Sequence, residues 1–255
     1  MPAGDATRHT GASGSGHALW VRFCHWVIVA SVLTLGYSGI VILMAHPRLY
    51  WGNTGNDLTS AWLELPLGRN FMHGGWSPPT AFFADAGGPV SRIRTYEIFN
   101  QNGWARSLHF LVGWIFAPAL TVYLIAGLFS GHLRRSLVPR VDELAPRRFW
   151  QDIVAHVRLR FQPAAGGPPY GLLQKWAYFA VVFIGLPVMI LTGLSMSPAV
   201  GAAYPYLPAL FGGSQSARTI HFLFLCALLL FLAVHVLMVV MTGFWRQMRA
   251  MTWGR

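Results

Sequence analysis

Residues 218–244 read RTIHFLFLCALLLFLAVHVLMVVMTGF. After Arg218 the run contains no Lys, Arg, Asp or Glu, yet it carries two histidines, His221 and His235. At about 1.5 Å per residue, a helix of this length crosses the roughly 30 Å hydrocarbon core of a bilayer. Inside that core the backbone has no water to bond with, so it satisfies its own N–H and C=O groups, and helix is the form expected. Three more runs of the same kind lie upstream, Leu19 to Met44, Ser107 to Ser130 and Gln174 to Met196. The sequence therefore predicts an all-α integral membrane protein, a four-helix transmembrane bundle. Pro118 and Pro187 interrupt the second and third runs and are expected to kink those helices without ending them.

Composition agrees with this reading. Of 255 residues, 54% are hydrophobic and 11% charged, with a mean hydropathy of +0.45. Soluble domains carry about 25% charged residues. A disordered chain, a typical soluble enzyme and a disulfide-stapled secreted domain are excluded, the last because there are two cysteines only. Cys24 and Cys226 fall at different depths and read as small apolar residues. The net charge of +11 does not indicate nucleic acid, because the arginines lie outside the spans and mostly in one set of loops. Thirteen of the 19 basic residues fall in the N-terminal tail and span entry, the 131–173 loop with the entry to span three, and the C-terminus; six fall on the other side. The positive-inside rule places both termini in the cytoplasm.

Residues 1–17 are small and polar and read as a disordered tail, with no cleavable signal peptide, ahead of one four-span domain over 18–253. The outer loop 45–106 is long and close to neutral, with Arg48, Arg69, Arg92 and Arg94 set against Asp57, Glu64, Asp85 and Glu97. A loop of that length is ordinarily functional or partly structured. In the inner loop, residues 147–161 (RRFWQDIVAHVRLRF) gather Phe149, Trp150, Ile153, Val154, Val157 and Phe161 on one face and read as an interfacial helix.

Three spans open on a similar tetrad: Arg22-Phe23-Cys24-His25, Arg106-Ser107-Leu108-His109 and Arg218-Thr219-Ile220-His221. Ionisable groups inside a membrane are expensive and default to a functional reading. Fourteen residues separate His221 from His235, almost four turns, so they share one face about 21 Å apart. With alternating span directions, His109 matches His221 in depth near the outer side, and His25 matches His235 nearer the inner side. Two imidazoles at one depth between helices suit the two axial positions of a haem iron. Zinc would want three or four converging ligands, which two layers of two do not supply. Each arginine lies one turn closer to the surface than its histidine, where haem propionates would sit, and guanidinium–carboxylate pairing would orient them. Gly113 and Gly36 would let a macrocycle approach the helix.

Each of these residues also has a plainer reading. A lone interfacial arginine is usually a topology anchor. Gly113 and Gly36 are as readily helix-packing residues. Membrane histidines also serve proton paths, which would make this a non-redox carrier of protons or metal. The other histidines, at 9, 17, 46, 73, 132 and 156, read as solvated, with His17 and His132 the substitutes if a ligand is misassigned. There is no CxxCH for covalent haem, and no Walker A, GxGxxG or nucleophile motif.

RFCHW on span one, RSLH on span two, and RTIH with the later His235 on span four resemble the bacterial cytochrome b561 and nickel–iron hydrogenase b-type cytochrome superfamily. HPRLYWG (46–52), SGHLRRSLVP (130–139) and SPAVGAAYPYLPALFGGSQSARTIHF (197–222) are similar, more narrowly, to the thiosulfate-reductase-type cytochrome b subunits. The resemblance spans about residues 17–253. It implies two b haems ligated by the four histidines, and a subunit that links the quinone pool to a catalytic partner. The implied partner is a periplasmic molybdopterin oxidoreductase, and the implied location is the bacterial inner membrane. Lys175, opening span three on the inner side, is a candidate donor to a quinone oxygen or a propionate, and equally a topology anchor. The rival from the same chemistry is a stand-alone oxidoreductase acting on a small oxidant such as superoxide.

Overall fold

The computed structural model describes residues 17–55, 59–67, 102–138, 147, 150, 154 and 172–254. Four long helices dominate it: α1 (Leu19–Ala45), α2 (Asn102–Phe129), α4 (Leu172–Ser195) and α7 (Ser214–Met241). Each is long and apolar enough to cross a membrane. The 28 residues of α7 make about 42 Å of helix, more than the hydrocarbon thickness. Short helices join them: α3 (His132–Ser136), α5 (Pro198–Ala203) and α6 (Tyr206–Leu210). After α7 the chain breaks at Gly243 and resumes as α8 (Phe244–Thr252). The chain is a multi-pass membrane protein.

α1 packs along α2, and α7 along α4. Large apolar side chains such as Leu128, Leu230 and Leu237 are more than half exposed, as lipid-facing positions are. Within the long helices the positions with no exposure are instead small or hydroxylic: Ser38, Ala105, Thr192, Ala217 and Thr219. Without a hydrophobic drive between helices in lipid, close approach through small residues and hydroxyl hydrogen bonds is what holds such a bundle. Midway along it, Phe116 and Leu120 of α2, Leu186 of α4 and Leu228 of α7 form a buried apolar layer, backed by Ile28, Val32 and Leu35 of α1.

The two prolines behave differently. Pro118 sits inside an uninterrupted α2. Pro187 follows a π turn over Val181–Gly185, in which the Leu186 N–H reaches back to the Val181 carbonyl. A proline ring clashes with the carbonyl four residues before it, here Phe183, and the wider turn relieves that clash. Neither proline ends its helix.

At the end of the bundle away from the termini, a two-residue ribbon pairs β1 (Arg48–Leu49) with β2 (Leu63–Glu64), and Arg48 is ion-paired to Glu64 at 2.8 Å. The segment from His46 to Asn53 lies over the start of α7. The Gly52 carbonyl accepts from the backbone N–H groups of Gln215 and Ser216 at 3.0 and 3.2 Å, and the Gly52 N–H donates to Ser216 Oγ at 2.7 Å. Thr219 Oγ1 donates to the Tyr50 carbonyl at 2.7 Å. The first N–H groups of a helix lack intrahelical partners, so a distant loop caps α7 here. Gly213 makes this possible: its φ is +120°, and a Cβ on it would collide with the Gly52 carbonyl.

At the opposite end, α8 folds back under α1. Arg22 Nη1 donates to the Thr252 carbonyl at 2.8 Å and Trp26 Nε1 to the Met251 carbonyl at 3.1 Å. The first and last described segments, residues 17–26 and 244–254, therefore lie at one end. Of the expected interfacial helix 147–161, Arg147, Trp150 and Val154 are helical, and the remainder lies outside the described residues, as do most of the outer loop 45–106 and the tail 1–16. Sequence reading carried span four on to Phe244 and missed that Phe244–Thr252 is a separate helix.

Candidate functional site

The four histidines fall in two layers on either side of the apolar layer. In the layer away from the termini, His109 of α2 and His221 of α7 have ring centres 6.3 Å apart, with planes inclined by 60°. Each ring is held from behind by a hydroxyl. Ser38 Oγ of α1 lies 2.9 Å from His109 Nδ1, and Thr192 Oγ1 of α4 lies 2.8 Å from His221 Nδ1. With both Nδ1 atoms engaged, Nε2 is the remaining ring nitrogen on each. An imidazole–metal bond is about 2 Å and the ring centre lies about 1 Å behind the nitrogen, so two rings sharing one metal stand about 6 Å apart. The observed spacing meets that requirement. That spacing fits two imidazoles holding one haem iron, and the glycines beside the rings let them lie close against α1 and α4. A Cβ on Gly39 would come 3.4 Å from His109 Cε1, and one on Gly193 would come 3.5 Å from His221 Cε1. Side chains larger than alanine at either position would press on the ring.

In the layer nearer the termini, His235 of α7 stacks on Phe231 at 5.7 Å, and its Nδ1 lies 3.3 Å from the Tyr178 hydroxyl of α4. Gln174 Nε2 donates to the same hydroxyl at 2.7 Å. His25 of α1 lies within electrostatic reach of His235 and His17. Its Nδ1 is buried without a hydrogen-bond partner among the described residues, and so is Nε of Arg22 one turn earlier. Two orphaned buried groups one turn apart on α1 mark a place where something polar belongs. Among the described residues no cluster of three or more His, Cys, Asp or Glu forms.

The arginines are dispersed in their engagements. Arg218, mostly buried, donates through Nη2 to the His46 carbonyl. Arg22 uses Nη1 on α8, and Arg106 is exposed. A guanidinium has five N–H donors, so one bond leaves others for an anion. Gly113 has open space where a Cβ would be, whereas a Cβ on Gly36 would meet Leu225 and Leu229 at 3.9 and 4.0 Å, ordinary helix packing. Lys175 is buried in the first turn of α4. His17 is not simply solvated: it is about half buried, and burial first, then the Arg22 charge, push its pKa below the usual value. His132 lies edge-on to Trp20 at 5.6 Å. Both cysteines are free.

Sequence reading missed Ser38, Thr192 and Tyr178. A signal was available. The hydroxyl–glycine dipeptides Ser38-Gly39 and Thr192-Gly193 recur at histidine depth on the two spans that face His109 and His221.

The putative protein-methionine-sulfoxide reductase subunit YedZ1 of Azospira oryzae is 28% identical over 224 residues, covering 88% of this chain and 89% of that protein. The probable Ni/Fe-hydrogenase B-type cytochrome subunit of Cupriavidus necator is 28% identical over 149 residues, covering 52% of this chain and 58% of that protein. No solved structure matches the chain significantly. The family model for prokaryotic cytochrome b561 matches residues 16–254, nearly the whole four-helix unit and all four of its intramembrane histidines, and the chain belongs to that family.

Proposed function

We propose that this b561-type membrane cytochrome b holds two b haems, His109 with His221 on one and His25 with His235 on the other, and relays single electrons between a quinone and a redox partner. The observation that carries the reading is the 6.3 Å separation of two imidazoles whose Nδ1 atoms are already engaged by hydroxyls. Haem supplies the one-electron chemistry; the protein supplies ligation, orientation and a dry setting. Arg22 and Arg218 neutralise propionates alongside their existing backbone bonds, and the exposed Arg106 turns inward to do the same. Gly113 gives a macrocycle access to α2; the contacts at Gly36 favour helix packing there.

The excess of Lys and Arg on the terminal side supports cytoplasmic termini, an inner-membrane location and an outer haem at the His109–His221 layer. Both relatives bear names of oxidoreductase subunits, which supports a catalytic partner protein. The resemblance to thiosulfate-reductase-type subunits points to a periplasmic molybdopterin enzyme, docked in part on the 45–106 loop. Quinone reacts at the inner layer, where Lys175 is buried on the first turn of α4.

Haem per polypeptide by pyridine haemochrome tests the reading. A ratio near two is expected; a ratio near one removes one pair, and zero ends the proposal. For the quinone side, His235→Ala should slow reduction of the outer haem by quinol in liposomes. Wild-type rates in that variant would move the quinone to the outer layer.

A further inference from the structure

The hydroxyls behind the outer pair are themselves constrained. Ser38 Oγ lies 2.8 Å from the Thr34 carbonyl and 3.3 Å from that of Leu35. Thr192 Oγ1 lies 2.6 Å from the Val188 carbonyl and 3.2 Å from that of Met189. A hydroxyl has one hydrogen, and a carbonyl oxygen can only accept. The shortest contact of each hydroxyl is to the carbonyl four residues back, so its hydrogen is assigned to its own helix. The oxygen is left to accept, and among the described residues the ring Nδ1–H is the group in place to donate to it. The Leu35 and Met189 carbonyls also lie beside the His109 and His221 rings, and they too can only accept. The hydroxyl and the carbonyl beside each ring thus select the same tautomer, with hydrogen on Nδ1 and the lone pair on Nε2.

The arrangement is made twice from the same parts. Ser38-Gly39 on α1 serves His109 on α2, and Thr192-Gly193 on α4 serves His221 on α7, with each glycine admitting the ring at van der Waals distance. The inner layer lacks it. His235 has a longer contact, 3.3 Å, to a phenol, and His25 Nδ1 has no hydrogen-bond partner among the described residues.

We propose that Ser38 and Thr192 are a matched pair of positioning residues. They fix the tautomer and ring planes of His109 and His221, and so set the redox potential and ligand geometry of the outer haem separately from the inner one. The inference rests on the ligation proposed above. Donation from Nδ1–H to an acceptor raises the basicity of the ligating nitrogen, as outer-shell partners of metal-bound histidines do. A more basic ligand favours the ferric state and lowers the potential.

The test uses full-length protein in detergent or nanodiscs, with Ser38→Ala, Thr192→Val and the double variant. Redox titration of the visible bands and low-temperature EPR of the low-spin signals are the readouts. The expected result is unchanged haem stoichiometry, one potential raised, the other unmoved, and one of two low-spin g values displaced. A tenfold change in the relative affinity for ferric over ferrous iron would appear as 59 mV. Ser38→Thr and Thr192→Ser keep the hydroxyl and should hold the wild-type values. If Thr192→Val loses the outer haem outright, retention by Thr192→Ser supports the proposal and loss in both overturns it. Potentials and g values that stay at wild type in the double variant also overturn it. Failure of the underlying reading looks different: wild-type protein without two haems, or an outer haem that survives His221→Ala.

Discussion

Arg22→Ala should release the C-terminal helix. The last carbonyls of a helix have no intrahelical partners, and a cation there also meets the negative end of the helix dipole. Arg22 Nη1 reaches the Thr252 carbonyl at 2.8 Å, across 230 residues of sequence, and Trp26 Nε1 reaches Met251 at 3.1 Å. A hydrogen bond from a charged donor contributes about 1.5–3 kcal/mol when well screened from water and less when wet. The Arg22–Thr252 bond is at the exposed rim, so about 2 kcal/mol, dipole included, is a fair expectation. That corresponds to a roughly thirtyfold rise in the open population of α8. Amide exchange across residues 246–252 in nanodiscs reads it directly. Trp26→Phe, which removes one neutral hydrogen bond, should give a smaller increase, near fivefold for about 1 kcal/mol. Haem content in Arg22→Ala separates this role from propionate pairing, which in the wild type would use the buried Nε, without a hydrogen-bond partner among the described residues. If exchange in α8 stays at the wild-type rate, the clasp contributes nothing and the reasoning is wrong.

His221→Ala should halve haem content by removing the outer group and sparing the inner, and His235→Ala should do the reverse. The fourteen residues between them, about 21 Å, make the two losses independent. A single-site loss that removes both haems would refute the two-layer pairing. Gly213→Ala forces a Cβ into the Gly52 carbonyl at φ +120°. It should lift residues 46–53 off the α7 N-terminus, seen as a lower Tm and faster proteolysis of the 46–67 segment, and an unchanged Tm would count against that cap. His17 is held neutral by burial and by Arg22, so its folded pKa lies below its unfolded one. Its contribution is present above about pH 6.5 and is lost as pH falls through the depressed value. Amide exchange at residues 18–22 should quicken on acidification in wild type and become pH-independent, beyond intrinsic chemistry, in His17→Gln.

Much of the fold was legible because lipid imposes so few solutions. Four apolar runs with basic residues at their ends specify four helices. The histidine pairing in depth followed from counting residues along alternating helices. Other features were hidden for physical reasons. Ser38 and Thr192 are small hydroxyl residues in apolar runs, where such residues commonly bond back to their own helix, as these do. Only the three-dimensional register reveals that the oxygen also faces a ring. Span four was ended at Phe244 and the helix Phe244–Thr252 went unread, because a nine-residue helix carrying Arg246 and Arg249 lacks the apolar run that marks a span. Arg22 was read from its neighbours in sequence, whereas its bonded carbonyl lies at the far end of the chain.

The register between α4 and α7 ties the two layers together. Tyr178 and Thr192 are fourteen residues apart on α4, as His221 and His235 are on α7. The helices run antiparallel, so Thr192 meets His221 while Tyr178 meets His235. One helix pair thus supplies a histidine and its hydroxyl partner at two depths, on the same faces, with Leu186 and Leu228 between them. α1 contributes His25 to the inner layer and Ser38 to the outer, thirteen residues apart, so it joins both depths as well. Such spacing holds only if the helices do not slip, and two features resist slippage. The π turn with Pro187 lies between Tyr178 and Thr192 and sets the phase of one half of α4 against the other. The apolar layer of Phe116, Leu120, Leu186 and Leu228 packs all this at mid-depth and keeps water from joining the two polar layers. On the function proposed above, an electron carrier with two haems needs this combination. The centres must be held at a set separation in a dry medium, and each must be tuned by neighbours that the other does not share.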